Sequence, residues 1–237
     1  MSRHLNADPG SIAPFVIISG NPERTRWAAK QFLTAPQLVS DNRSAFVYTG
    51  IYKNLRVSFA TSGMGMGSMR IYAHELFRDY GVQVIVRIGT AGGYGSNVKL
   101  FDLFNPQSVH SEILFNDQNI NLPPTPHSQL FSALNATAQK MNLTLKTGKV
   151  HSTDFFYGPE SFGLEAKKVG CEIIEMESYA LWNVARQYSR QAATLLLVSD
   201  LISEQKNQKP KTSNFKERIY KTTTLFEIAL KTLQNYV

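Results

Sequence analysis

Cysteine is nearly missing from this 237-residue chain: Cys171 is the only one, which excludes an intramolecular disulfide and any metal cluster built on several thiolates. It stands in the apolar run GCEIIEM, where a buried, inert thiol is expected rather than a nucleophile. Histidine is also scarce, at five residues, so no metal site is expected. No apolar stretch approaches the ~20 residues of a membrane span. The N-terminus carries Arg3 and His4 but no long apolar segment of the kind a secretory leader needs. A cytoplasmic protein with no membrane partner is the expectation. Two phosphate-loop signatures are missing as well. SGMGMGSMR (62–70) and GTAGGYGSN (89–97) are glycine-rich, but Ser68, Arg70 and Val98 stand where G-x-G-x-x-G needs its third glycine, and no G-x-x-x-x-G-K-[ST] occurs. Dinucleotide binding by these runs is not expected, and neither is an organic cofactor.

What is present is an ordinary globular balance, 43% hydrophobic and 18% charged, with a formal net charge of +7. That excess suits a lysine-biased solvated surface, and it also admits a nucleic acid or a small anionic substrate. The basic residues are scattered. Their densest cluster, SEQKNQKPKTSNFKER (203–218), has no aromatic for base stacking before Phe215 and reads as a mobile polar loop. Nucleic acid is therefore not expected as a partner.

Short aliphatic runs suited to buried strands recur at 14–19, 57–62, 82–89, 145–152, 171–176 and 193–200. Helical patterns fall at 22–33, 68–81, 126–141, 179–189 and 215–233. Near-continuous aliphatic strands alternating with helices predict an α/β fold, a three-layer α/β/α sandwich whose strands are covered on both faces. The stretch 45–62 reads instead as a hairpin turning at Lys53-Asn54, so the central sheet is expected to be mixed. No repeat or linker divides the chain, and a single domain over 1–237 is the reading.

In such folds ligands gather at the carboxyl ends of strands, which makes the polar residues closing these runs the candidates. ISGNPERTR (18–26) puts Gly20 and Arg24 in the first βα turn, a setting for an anion. Arg87 interrupts VIVRIG, where an unpaired guanidinium is costly; it needs either a buried carboxylate partner or an oxyanion held bidentately, with Thr90 and Arg24 assisting. Glu175 and Glu177 in EIIEMES offer an ion-paired strand end, an acid/base pair, or acceptors for the vicinal hydroxyls of a sugar. Ser199-Asp200 closes LLLVSD; Asp200 is either a turn residue or a proton donor with aliphatics behind it.

Seven segments, HLNADPGSIA, SGNPERTR, GMGMGSMRIYAHEL, VIVRIGTAGG, STDFFYGP, IIEMESYAL and LLVSD, occur in an order that resembles the purine/uridine phosphorylase superfamily, specifically the bacterial hexameric purine nucleoside phosphorylases. The resemblance implies reversible phosphorolysis of purine (deoxy)ribonucleosides to base and sugar 1-phosphate, with inorganic phosphate as co-substrate and no cofactor. It implies that Gly20, Arg24, Arg87 and Thr90 hold phosphate, joined by Arg43 of a neighbouring subunit in a homohexamer built as a trimer of dimers. Met64 and Glu177 would line the ribose, with the neighbour's His4 at its 5′-hydroxyl. Phe156, Ile174, Glu175 and Met176 would surround the base. Asp200 would protonate N7, oriented by Ser199 and assisted by Arg218.

Four departures from the family pattern stand out. Thr90 replaces a serine, Asn21 an aspartate, Ser178 a frequent alanine, and the segment between Asp200 and Arg218 is longer and lysine-rich. Two rivals share the fold. A uridine phosphorylase would carry a Q-x-R-like pair after DFFYGPES, which is missing here, and a methylthioadenosine nucleosidase has no use for three phosphate-binding arginines.

Overall fold

The computed structural model describes residues 2–94, 96–115, 122–158, 160–202 and 211–236. In chain order the elements are β1 (Phe15–Ser19), α1 (Pro22–Phe32), β2 (Thr34–Ser40), β3 (Val47–Tyr52), β4 (Leu55–Thr61), α2 (Met66–Arg78), β5 (Val84–Gly93), β6 (Leu103–Phe104), β7 (Ser108–His110), α3 (Ser128–Lys140), β8 (Lys149–Ser152), α4 (Glu160–Lys168), β9 (Cys171–Glu175), α5 (Ser178–Gln187), β10 (Gln191–Leu201), β11 (Lys211–Thr212) and α6 (Phe215–Gln234).

Side chains alternate across the strands and so sort the core into two apolar layers. Val16, Ile18, Ile85, Leu196 and Val198 pack with Met66, Met69, Leu76, Leu181 and Trp182 of α2 and α5. Ile17, Val86, Ile88, Leu195 and Leu197 face the other way, onto Ala28 of α1, Leu134 of α3 and Phe226 of α6. The sheet is thus covered on both faces, as the aliphatic runs predict, and it is mixed: β1, β4, β5 and β10 run parallel, while β2, β3 and β4 form antiparallel pairs. The β3–β4 hairpin turns at Lys53, whose φ is +52°.

Five elements escaped the sequence reading: β2, α4 and the very short strands β6, β7 and β11. β2 is an edge strand, with Pro36 inside it and most of its residues exposed or half-buried, so it lacks the aliphatic run that marks a buried strand. α4 is short and carries Gly163, which weakens a helical pattern. The lysine-rich stretch expected to be a mobile loop lies, over 203–210, outside the described residues.

One feature of the sheet builds the site. On one edge β5 pairs with β10 along its whole length. On the other it pairs with β1 only as far as Arg87, opposite Ile18, and then with β9 only at Gly92 and Gly93. β9 is antiparallel to β5, so β1 and β9 approach this edge from opposite ends, and their carboxyl ends face each other across Ile88–Ala91. The expectation that candidate residues gather at the carboxyl ends of strands takes the form, here, of two such ends meeting over a gap.

Candidate active site

The gap opens where glycines allow close approach. Arg87 folds back flat over Gly89: a Cβ at that position would stand 2.6 Å from the Arg87 Cζ. Nη2 reaches Glu177, and Glu175 at 3.2 Å. Nε and Nη1 are buried with no hydrogen-bond partner among the described residues. Burial works against the Arg87 cation, but Glu177 and Glu175 outweigh it and raise its pKa above the ordinary arginine value.

Arg24 enters from the first turn of α1. That helix starts at Asn21, whose side-chain oxygen accepts from the backbone N–H of Glu23 at 2.8 Å and of Arg24 at 3.1 Å. The aspartate-to-asparagine departure therefore keeps the cap. Arg24 is buried and its Nε has no partner among the described residues. Desolvation, then the neighbouring cations Arg87 and Arg218, lower its pKa to about 10, with Glu177 offsetting part of the effect. Three guanidinium groups from β5, α1 and α6 thus converge on one place. Gly20 completes the turn, since any side chain there would meet the Gly63 carbonyl oxygen at 2.9 Å. Thr90 is half-buried in the stretch of β5 that pairs with β10 alone.

The two glutamates behave differently. Glu175 accepts from the backbone N–H of Glu177 at 3.0 Å and of Ser178 at 3.1 Å. Its carboxylate is engaged in starting α5 and in holding Arg87, not turned toward a base wall as its place in the family motif suggests. Glu177 accepts from the Gly65 N–H at 2.7 Å through one oxygen and from Arg87 through the other. Desolvation raises its pKa, with the repulsion of Glu175 adding to it, and Arg87 pulls the other way. Ser178 donates its hydroxyl to Thr194 at 3.2 Å inside the fold, which accounts for its departure from alanine.

Asp200 owes its aim to a bulge. The register of β10 on β5 slips between Val198 and Asp200, so Ser199 is the extra residue. Ser199 Oγ donates to Asp200 Oδ2 at 2.6 Å, and Arg218 Nη2 donates to Oδ1 at 2.9 Å. Arg218 is itself oriented by Ser213, whose carbonyl and hydroxyl both lie 3.2 Å from its Nε. A capping box between Asn214 and Glu217 starts α6 at this point, which fixes Arg218 despite the long segment before it.

Ile174 lies against Gly92 together with Ile202, Met176 is half-buried at the end of β9, and Met64 and Phe156 are exposed. Asp154, not singled out from the sequence, caps α2 by accepting from the Met66 N–H at 2.6 Å; its place just after a strand and two residues before Phe156 was the available signal.

His4 and Arg43 are held elsewhere. His4 Nδ1 contacts Glu75 at 2.7 Å, and its ring sits 6.4 Å from that of Tyr72. Arg43 acts electrostatically on the same Tyr72. Asn6, two residues after His4, joins the N-terminal segment to the end of β2: its side-chain oxygen accepts from Ser40 and from the backbone of Asp41. Arg43 and Ser44 both adopt left-handed φ, +56° and +59°, a strained turn for side-chain-bearing residues.

This chain belongs to the phosphorylase superfamily, whose family model matches residues 14–235. Among curated proteins it is 35% identical over 237 residues to a DeoD-type purine nucleoside phosphorylase of Clostridium perfringens, covering 97% of each chain. It is 37% identical to the protein of that name from Brevibacillus brevis, over 92% of this chain and 96% of the relative. A third such protein, from Streptococcus suis, is 33% identical over 98% and 99%.

Proposed function

We propose that the chain is a purine nucleoside phosphorylase, a pentosyltransferase that exchanges a purine on C1′ of (deoxy)ribose for inorganic phosphate. The observation that carries this is the pair of buried arginines Arg24 and Arg87, whose Nε atoms, with Arg87 Nη1, have no acceptor among the described residues. Such donors suit an oxyanion of high charge. Gly20 and Thr90 border the same gap, and Glu177, on the far side of Arg87, suits the two vicinal hydroxyls of a ribose.

The chemistry follows from this layout. A phosphate oxygen forms the new bond to C1′ as the C1′–N9 bond breaks, and the bonding pair leaves with the base. Purine is a poor leaving anion, so a proton passes from Asp200 to N7 as the bond lengthens; general-acid help of this kind is worth roughly 10²–10⁴ in rate. Arg218, bonded to Asp200 Oδ1, favours release of that proton. Met64, Phe156, Ile174 and Met176 supply apolar surface around sugar and base. The reaction needs neither metal nor organic cofactor.

His4 and Arg43, gathered at Tyr72, are read as completing the site of a neighbouring subunit in a homohexamer. The protein is further read as cytoplasmic, serving purine salvage without nucleic-acid partners; among the described residues no helix is long and apolar enough to cross a membrane.

The test is a panel of inosine, adenosine, guanosine and uridine, each with and without phosphate. Base release from the purine nucleosides, dependent on phosphate, is expected. Activity confined to uridine, or release of base without phosphate, would overturn the reading.

A further inference from the structure

Outside the cluster of arginines the fold buries a second polar network that the reaction does not use. Glu112 follows β7 and reaches across to β8. One of its oxygens contacts His151 Nε2 at 2.7 Å, and the other accepts from the Thr153 hydroxyl. His151 and Thr153 are almost wholly buried. Burial alone would raise the pKa of Glu112, but the Thr153 and His151 hydrogen bonds hold it below the ordinary carboxylate value. Its carboxylate is therefore ionised near neutral pH and only accepts, which puts the hydrogen on His151 Nε2.

Thr153 is the hinge of this arrangement. Its N–H donates to the Glu175 carbonyl at 3.0 Å, and its hydroxyl oxygen also accepts from the Phe155 N–H at 3.2 Å. The next residue, Asp154, caps α2 at Met66. Asp154 Oδ1 lies so close to Gly65 that a Cβ there would stand 2.9 Å from it. Gly65 in turn donates to Glu177. Fixing Thr153 thus fixes two things: the N–H groups that open α2 beside the sugar-side carboxylate, and the start of the exposed aromatic run Phe155–Tyr157.

We propose that Glu112 is a positioning residue for the 153–158 segment: it holds the Thr153 hydroxyl, and through it sets Asp154 on α2 and Phe156 over the nucleoside. The inference rests on the phosphorylase reading for its kinetic consequence only. Glu112 touches neither substrate nor Asp200, so its influence falls on the nucleoside side of the gap and leaves the arginine side unchanged.

Thr153→Val keeps the shape of the side chain and removes the hydroxyl, whereas Thr153→Ser keeps the hydroxyl. In Thr153→Val, amide exchange at Met66 and Phe155 is expected to be at least about fivefold faster. KM for nucleoside is expected to rise about fivefold or more while KM for phosphate stays within twofold. Thr153→Ser is expected to restore both readouts, and Glu112→Ala to reproduce the valine variant. Unchanged exchange in Thr153→Val overturns the proposal, and so does faster exchange with both KM values rising together, or a serine variant that behaves like valine. Exchange needs no substrate, so it decides the structural claim even if wild-type protein fails to cleave purine nucleosides, an outcome that would strike the phosphorylase reading instead.

Discussion

Arg87 and Glu177 form a buried ion pair through Nη2 of the guanidinium, and Nη1 and Nε have no acceptor among the described residues. A pair closed in this way is stabilising only while both partners remain. Removing one partner of a buried pair costs ~3–5 kcal/mol, because the other charge stays behind unpaired. Glu175, 3.2 Å from the same Nη2, would stay to offset part of that cost, while the Gly65 N–H would lose its acceptor.

That gives a prediction with a sign. Glu177→Gln is expected to lower Tm in phosphate-free buffer and to be stabilised by added phosphate more than wild type is, because phosphate returns a counter-charge to Arg87. Thermal shifts of both proteins across a phosphate titration check this. An equal or smaller shift in the variant would mean that phosphate does not approach Arg87.

Arg24 leads to the opposite expectation. Its pKa is lowered to about 10 by burial and by the cations Arg87 and Arg218. The folded state therefore holds the Arg24 proton less tightly than the unfolded chain does, and the charge is a net cost at neutral pH. Arg24→Gln is expected to leave the Tm of the phosphate-free protein within about 2 °C of wild type. Losing a charge-assisted hydrogen bond to phosphate should raise KM for phosphate about 10- to 100-fold. A large loss of Tm with unchanged KM would mark Arg24 as structural.

On the proposed reading Asp200 serves the base while Arg24 and Arg87 serve phosphate, so the kinetics should separate the two roles. Asp200→Asn is expected to lower kcat on inosine by roughly 10²–10³, while the thermal shift with phosphate stays as in wild type. Ser199→Ala, which removes only the hydroxyl holding Oδ2, is expected to cost less. Loss of the phosphate shift in Asp200→Asn would assign Asp200 to the architecture of the anion site.

Much of this was legible because it follows from strand chemistry. Aliphatic runs interrupted by one arginine, or closed by Ser-Asp, announced buried strands, and the structure sets Gly20, Arg24, Arg87 and Glu177 about one gap, with Ser199 and Asp200 near the end of β10. What the runs do not carry is direction. Nothing in CEIIEM says that β9 is antiparallel to β5, so the meeting of two strand ends could not be read. Nor does composition reveal which of two neighbouring glutamates a helix will claim; Glu175 went to the N-terminus of α5 because its backbone neighbours Glu177 and Ser178 present free N–H groups there. Glu112 and Thr153 were invisible for a related reason: they are 41 positions apart and meet only across paired strands.

Glu75 makes the N-terminal segment sensitive to acid. Burial alone would raise its pKa, but the Ser2 hydroxyl, the His4 ring and the backbone N–H groups of Arg3 and His4 bring it down to about 2. The folded value is below the unfolded one, so this stabilisation is complete above about pH 4.5 and is lost as the pH falls toward 2. The stability gap between wild type and Glu75→Gln, from denaturant melts, is expected to be widest at neutral pH and to shrink by about half on reaching pH 3. A gap constant from pH 7 to pH 3 would show that the carboxylate charge is not what anchors the segment.

His4 is held at Glu75 and beside Tyr72, and the proposal that it and Arg43 complete a neighbour's site is testable by mixing. On that reading each subunit of a symmetric pair gives the same patch to the other, so a site would take Arg24 from its own chain and Arg43 from its neighbour. Arg24→Ala and Arg43→Ala homo-oligomers should each lose most activity at limiting phosphate. When the two variants are co-expressed, half of the pairs are mixed. Each mixed pair has one site carrying both defects and one carrying neither, so recovery to about a quarter of wild-type activity is expected. If Arg43 instead served its own chain, every site in the mixture would keep one defect and no recovery would occur. Phosphorolysis rates of the co-expressed and separately purified proteins at equal total concentration distinguish the two arrangements.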